Sequence, residues 1–146
     1  MGFDVGYAVR VAAPSATVWR LLVDVATWKS WWPDCLSATT ADARTLHEGS
    51  RLELVLQPKH GRHTLRPVVD LITEGKTLSM TSRGPLLQAT VSWHLHDDGE
   101  GTRLNLHGAF TGPAALVLRL LRADDVVRFS LHGNLRGLKK VAERLG

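Results

Sequence analysis

The stretch LQATVSWHLHDDGEGTRLNLHGAF, residues 87–110, decides the fold of this chain. Apolar residues occupy alternate positions on both sides of a centre rich in Asp and Gly, which is the pattern of an antiparallel β-hairpin with one buried face. With Leu95 opposite Leu104, every pair on that face is apolar or glycine, whereas a shift by one residue would put Trp93 opposite Asn105. A one-residue slip turns every side chain to the other face of a sheet, so the hairpin has one favourable register.

Towards the N-terminus, the pattern predicts a strand followed by two short helices. Residues 3–11 alternate between apolar and polar side chains, as a half-buried strand does. Ser15 is placed to cap a helix that runs to Leu22. A second helical turn over 25–32 ends before Pro33, because proline disfavours helix at the residue before it.

The region from Cys35 to Phe110 is predicted to be a succession of about six strands. Residues 51–56, 65–73 and 77–82 are extended segments of this kind that precede the hairpin. Pro67 interrupts the second of them, which indicates a sheet edge or a bulge.

The C-terminal part is predicted to be helical. Pro113 suits a first helical position, and Asp124 with Asp125 indicates a break or a fresh helix N-terminus. From there a long amphipathic helix is expected, with an apolar stripe formed by Val127, Leu131, Leu138, Ala142 and Leu145 and flanked by Leu135 and Val141. We therefore expect an α+β fold, in which a curved antiparallel sheet of about seven strands packs on this helix.

Length and composition favour a single soluble domain over residues 1–146. The chain is 44% hydrophobic and 22% charged, and its only cysteine, Cys35, excludes an intramolecular disulfide. The longest apolar run, 113–121, contains Arg119 and is far shorter than the roughly 18 residues of a membrane span. Asp4 and Arg10 interrupt any signal-like stretch at the start, so we expect a cytoplasmic protein.

The net charge of +4 raises the question of nucleic-acid binding. The basic residues fall in a loop-like stretch, 59–63, and on one face of the last helix. No nucleic-acid motif accompanies them, so an ordinary solvated surface explains them and no nucleic-acid partner is expected.

Three segments resemble the START-like (SRPBCC) superfamily, which contains the birch-pollen-allergen fold and the aromatic polyketide cyclases. They are APSATVWRLLVD at 13–24 with WKSWWP at 28–33, GEGTRL at 99–104, and LRGLKKVAE at 135–143. The resemblance implies a helix-grip fold, in which the sheet wraps around the C-terminal helix and encloses a cavity. Members of the superfamily bind lipids, sterols, hormones or polyketides, and some catalyse cyclisation or dehydration.

The function expected from this resemblance is binding or transport of a small hydrophobic ligand, which is a lipid, a sterol or a polyketide-like compound. The alternative is a polyketide cyclase/dehydratase-type enzyme that uses the same cavity. No cofactor and no metal are expected; transient membrane contact, and a monomer or a homodimer, are compatible with the sequence. The apolar ligand contacts are predicted at Trp32, Leu54, Met80, Trp93, Leu106, Phe110, Leu131 and Leu138, and the polar ones at Tyr7, Ser130 and Asn134.

Two of the polar candidates have competing interpretations. Asn134 lies within the apolar stripe of the last helix, so it needs a hydrogen-bond partner, which is either a nearby backbone group or a ligand oxygen. Tyr7 is either a core tyrosine or a general acid. No paired carboxylates fall on the apolar faces, and Cys35 has no histidine near it in sequence, so no catalytic residue is assigned.

Tryptophans and histidines form two further clusters. Trp28, Trp31 and Trp32 cannot all face one way on a short helix; they either pack against the sheet or leave one ring exposed or at a cavity mouth. His94, His96 and His107 fall on one face of the hairpin, but no acidic or thiol ligand completes a metal set. Gly133 and Gly137, one helical turn apart, indicate a close neighbour or a bend.

Overall fold

A computed structural model describes residues 2–41, 46–57, 61–122 and 124–146, so residues 59 and 60 of the basic stretch lie outside it. Within these ranges, eight strands and four α-helices follow one another, with a 3-10 turn at Val25–Thr27 before the second helix. The elements are β1 Gly2–Val11, α1 Ser15–Val23, α2 Trp28–Trp31, β2 Cys35–Thr40, β3 Leu52–Leu56, β4 His63–Leu65, β5 Val68–Thr73, β6 Thr77–Arg83, β7 Gln88–Asp97, β8 Thr102–Thr111, α3 Pro113–Leu120 and α4 Asp124–Leu145.

All strand pairings are antiparallel, and they form a five-stranded sheet in the order β1-β8-β7-β6-β5 and a three-stranded sheet in the order β2-β3-β4. An isolated bridge between Arg51 and Val68 links the two sheets. The predicted extended run 65–73 is divided at Pro67, whose carbonyl accepts a hydrogen bond from the Leu52 N–H at 2.9 Å. The α+β helix-grip fold is therefore confirmed, with one strand more than the seven or so expected.

The hairpin register is confirmed. Leu95 lies opposite Leu104, and Trp93 lies opposite Leu106. Gly108, further along β8, is closely covered, because a Cβ there would lie 2.9 Å from a methyl group of Leu131 in α4. The missing side chain thus lets α4 approach the middle of the sheet.

Helix α4 buries one side along the sheet. Leu131, Leu135, Leu138 and Ala142 are all buried there, but Leu145 at the predicted end of the stripe is 65% exposed, because the helix extends past the core. The break predicted at Asp124 is confirmed, since α3 and α4 are separate helices.

The start of α1 differs from the expectation. Ser15 is the first helical residue and Pro14 stands at the N-cap with an extended backbone, so no side chain caps this helix. Ser15 lies one position too far along the chain to accept hydrogen bonds from the N–H groups of the first turn in the way a cap does.

Helices α2 and α4 are in backbone contact at Gly137. A Cβ on Gly137 would lie 1.6 Å from the Trp31 carbonyl oxygen, whereas one on Gly133 would meet only the Pro33 ring, at 3.8 Å. The close neighbour expected of these glycines therefore exists at Gly137 and is the C-terminal end of α2.

Candidate ligand-binding cavity

An apolar cavity of about 410 Å³ lies between α4 and the two sheets. Its volume falls within the range typical of small-molecule sites. Apart from His63, Ser82 and Ser130, the described residues of its wall are hydrophobic. They are Trp32, Leu54, Leu56, His63, Leu65, Pro67, Met80, Ser82, Leu87, Ala89, Val91, Phe110, Leu118, Val126, Val127, Ser130 and Leu131.

Strand pairing places the sheet-borne part of this wall. Leu54 lies opposite Leu65 in the small sheet, and Met80 lies opposite Val91 in the large one. Directly paired residues of antiparallel strands project to the same side of a sheet, so each pair supplies two neighbouring side chains to the wall. Leu54 is 1% exposed, while His63 is exposed at the rim.

A polar contact in the cavity wall joins Ser130 of α4 to Trp32. The Trp32 indole Nε1–H donates to the Ser130 hydroxyl oxygen at 3.3 Å. The hydroxyl hydrogen of Ser130 remains able to donate to a ligand acceptor, since a serine hydroxyl is both donor and acceptor. This side chain is therefore the group best placed to hold a ligand oxygen.

Asn134 lies one helical turn beyond Ser130 and belongs to the core. It is fully buried, and its Oδ1 accepts a hydrogen bond from Trp93 Nε1 at 3.1 Å. Its partner is thus an indole and not a backbone group. Its Nδ2 has no acceptor in the described part of the chain, and Asn134 does not line the cavity.

Six of the eleven predicted contact residues line the cavity: Trp32, Leu54, Met80, Phe110, Ser130 and Leu131. The other five, Tyr7, Trp93, Leu106, Asn134 and Leu138, do not. Trp93, Leu106 and Leu138 are at most 1% exposed and fill the core where α4 lies directly on the sheet. The Tyr7 ring packs edge-on against His132 with 5.1 Å between the ring centroids, and neither ring lines this cavity.

The tryptophan cluster is buried. Trp28, Trp31 and Trp32 are each no more than 2% exposed, so none of the three rings is exposed, and Trp32 also lines the cavity. Burial is tolerable because each indole N–H has an acceptor: Leu22 O, Thr27 Oγ1 and Ser130 Oγ, in that order.

Most of the lining residues that were missed lie on strands that had been predicted. Leu56 lies two residues after Leu54 in β3, and Ala89 is paired with Phe110 in β7 and β8. His63 is different, because it begins β4 where the sequence predicted a loop-like stretch. Strand alternation could have found Leu56 and Ala89 from Leu54 and Phe110. By contrast, Leu118 and Val126 depend on how α3 folds back, which no local pattern indicates.

Other reactive side chains do not assemble into a site within the described ranges. No group of three or more His, Cys, Asp or Glu that could hold a metal occurs there, and His94, His96 and His107 are no exception. Cys35 is 5% exposed, and burial raises the pKa of its thiol to about 11. A thiol with that pKa is almost fully protonated at neutral pH and is a poor nucleophile.

Structural comparison defines the class of protein. The aromatase/cyclase Zhui from Streptomyces sp. R1128 has a TM-score of 0.82 at 21% identity, over 99% of this chain and 95% of that one. A START superfamily protein from Mycobacterium smegmatis has a TM-score of 0.78 at 16% identity, over 99% and 100%. The di-domain ARO/CYC StfQ matches over 97% of this chain and 50% of its own, with a TM-score of 0.74 at 19% identity. At these identities the likeness concerns the fold, which is the START-like helix-grip fold.

The family follows from the sequence profile. The family described as polyketide cyclase/dehydrase and lipid transport matches residues 3–143, and the chain belongs to it. Among curated proteins no match is found.

Proposed function

We propose that this domain binds a small, mainly apolar ligand in the cavity between α4 and the sheets. The observation that carries the proposal is the composition of the wall, where all but three of the described side chains are hydrophobic. Removing apolar ligand surface from water contributes roughly 25 cal/mol per Å², so such a wall favours lipids, sterols and polyketide-like compounds over polar metabolites.

The ligand is expected to carry an acceptor oxygen near one end. Ser130 offers its hydroxyl beside the Trp32 indole, and no charged group of the described residues lies on the buried part of the wall. An anionic or cationic ligand end would therefore be left without a partner there, which is costly in an apolar site. A ketone, ester, phenol or alcohol oxygen fits this contact.

Binding without catalysis is favoured by the lack of an acid/base pair. Among the described residues of the wall, His63 is the only titratable one, and it stands at the exposed rim. Cyclisation and dehydration both need protons to be moved to and from the substrate, usually by two positioned groups. Tyr7, the candidate general acid, contacts His132 outside this cavity.

A pair of bulky substitutions tests the site. Ala89→Trp would fill part of the cavity, whereas Ala109→Trp changes the opposite face of the same hairpin, since Ala109 lies opposite Thr90 next to the Ala89–Phe110 pair. We expect native mass spectrometry of the freshly purified protein, followed by solvent extraction, to release a stoichiometric apolar compound from wild type and Ala109→Trp. Ala89→Trp should release little or none. Equal ligand content in both folded variants would overturn the proposal.

The enzymatic alternative rests on His63 at the cavity rim. If the domain cyclises a polyketide-like substrate, His63→Gln should abolish turnover and leave ligand affinity within about twofold, because the ring is exposed and contributes little to binding. Turnover that is unchanged in His63→Gln would remove this residue as the proton-transfer group.

A further inference from the structure

Helix α3 is apolar on both of its faces. Ala115 and Leu118 face inward, where Ala115 is fully buried and Leu118 lines the cavity. On the outward face, Val117 is 51% exposed, and Leu120 and Leu121 are each 73% exposed. A helix that is hydrophobic all round is normally covered on every side, and the described residues cover only one side of this one.

The exposed surface extends beyond α3. Leu86, 61% exposed, belongs to the β6–β7 turn, and its carbonyl accepts a hydrogen bond from Ala114 N at 2.9 Å, so this turn adjoins the start of α3. We call Leu86, Leu116, Val117, Leu120 and Leu121 the α3 surface. Such a concentration of large exposed apolar side chains marks an interaction site in a soluble domain.

Three arginines lie within three residues of members of the α3 surface along the chain. Arg83, Arg119 and Arg122 are exposed at the end of β6, on α3 and just after it. The two carboxylates that follow α3 in the chain are Asp124, which is paired with Arg128 at 3.1 Å, and the exposed Asp125. The arginines therefore leave a local excess of positive charge beside the leucines.

We propose that the α3 surface docks on an anionic phospholipid bilayer. Leucine side chains that enter the boundary between headgroups and acyl chains, together with arginines that contact lipid phosphates, form the combination that interfacial helices use. A neutral protein partner would leave the three arginines without complementary charge. Among the described helices, none has the length and hydropathy of a membrane span.

Docking in this orientation would bring the cavity next to the bilayer. Leu118 on the inner face of α3 lines the cavity less than one helical turn from Leu120, and Val126 at the start of α4 lines it as well. An apolar ligand could then pass between cavity and lipid with a short aqueous path. Passage of a ligand between cavity and lipid rests on the proposed ligand binding, but docking of the α3 surface on vesicles does not. Ligand binding and vesicle docking can therefore fail independently of each other.

Vesicle cosedimentation tests the proposal with the ligand-free full chain. Vesicles of equal parts phosphatidylglycerol and phosphatidylcholine should bind the protein, and those of phosphatidylcholine alone should bind it weakly. Leu120→Gln/Leu121→Gln should lower the partition coefficient on anionic vesicles by at least about tenfold, because both side chains are expected to enter the lipid. Arg119→Gln and Arg122→Gln should each lower it by about fivefold.

Leu145→Gln provides the matched control. Leu145 is 65% exposed at the far end of α4, about 30 Å along that helix from Asp124, so its replacement should leave vesicle binding unchanged. Equal losses in Leu120→Gln/Leu121→Gln and Leu145→Gln, or no binding to anionic vesicles, would overturn the proposal. A dimer in sedimentation velocity that Leu120→Gln/Leu121→Gln dissociates, without vesicle binding by either protein, would assign the α3 surface to a second copy instead.

Discussion

Replacing Gly137 by alanine should weaken the domain through the contact between α2 and α4. A Cβ at this position would lie 1.6 Å from the Trp31 carbonyl oxygen, and real Cβ contacts are not shorter than 3.0 Å. The two helices must therefore separate by at least 1.4 Å at this point. Since the obstacle is backbone and not a flexible side chain, the strain cannot be relieved by a rotamer change.

The magnitude follows from two opposing effects. Overpacking in a core costs about 1–3 kcal/mol, and a clash with backbone belongs at the upper end. Alanine returns about 1 kcal/mol relative to glycine inside a helix. We expect Gly137→Ala to lower the free energy of unfolding by about 2 kcal/mol.

Gly133→Ala is the matched control on the same helix. Its Cβ would meet only the Pro33 ring, at 3.8 Å, which is an ordinary contact, so the gain of about 1 kcal/mol in helix propensity should appear as added stability. The two variants should differ by about 3 kcal/mol, or roughly 6–12 °C in Tm for a domain of this size.

Urea denaturation followed by tryptophan fluorescence measures this difference. The midpoints of the two variants should move in opposite directions from wild type while the slope of the transition stays the same. Equal stability of Gly137→Ala and Gly133→Ala would refute the close approach of α2 and α4. Because α4 also carries Ser130 and Leu131, a separated α4 should lower ligand affinity in Gly137→Ala as well.

Two further predictions concern buried groups. In a double-mutant cycle, Asn134→Leu and Trp93→Phe should each destabilise the protein by about 1–3 kcal/mol, because each leaves the buried polar group of the other residue unpaired. The double variant should lose less stability than the two single variants added together. Strict additivity of the three losses in urea denaturation would contradict the hydrogen bond between Trp93 and Asn134. Burial raises the pKa of the Cys35 thiol from 9.0 to about 11, so the thiol holds its proton more tightly in the folded than in the unfolded state. The contribution of the protonated thiol to the free energy of unfolding is therefore complete below pH 9.0 and is lost as pH rises to about 11. Wild type should therefore lose about 2 kcal/mol more than Cys35→Ala over that interval, measured as free energy of unfolding at each pH; parallel curves for the two proteins would contradict the burial of the thiol.

The tryptophan cluster shows why local periodicity was insufficient for the site. Three rings within five residues cannot share one face of a helix, yet all three are buried. Trp32 follows the helix with an extended backbone, at φ −100° and ψ 105°, so its ring leaves the direction that helical spacing implies. This change of backbone turns it towards Ser130 and the cavity wall.

Strand alternation likewise indicates a face of the sheet but not what covers it. Trp93 and Val91 occupy the same face of β7. Trp93 is covered by α4 and donates a hydrogen bond to Asn134 of that helix, whereas Val91 lines the cavity. Whether an inward side chain meets the helix or the cavity depends on the path of α4, and that path depends on distant contacts such as those of Gly108 and Gly137.

By itself, the sequence determined the order of the strands and helices, the hairpin register and the buried side of α4, because these depend on periodicity among near neighbours. It also placed Asn134 correctly within the buried stripe. The partner of Asn134, the extent of the cavity and the exposed face of α3 were decided only by the tertiary structure. Each of them depends on the packing of elements 40 or more residues apart, as the separation of 41 residues between Trp93 and Asn134 illustrates, and no local pattern encodes such a distance.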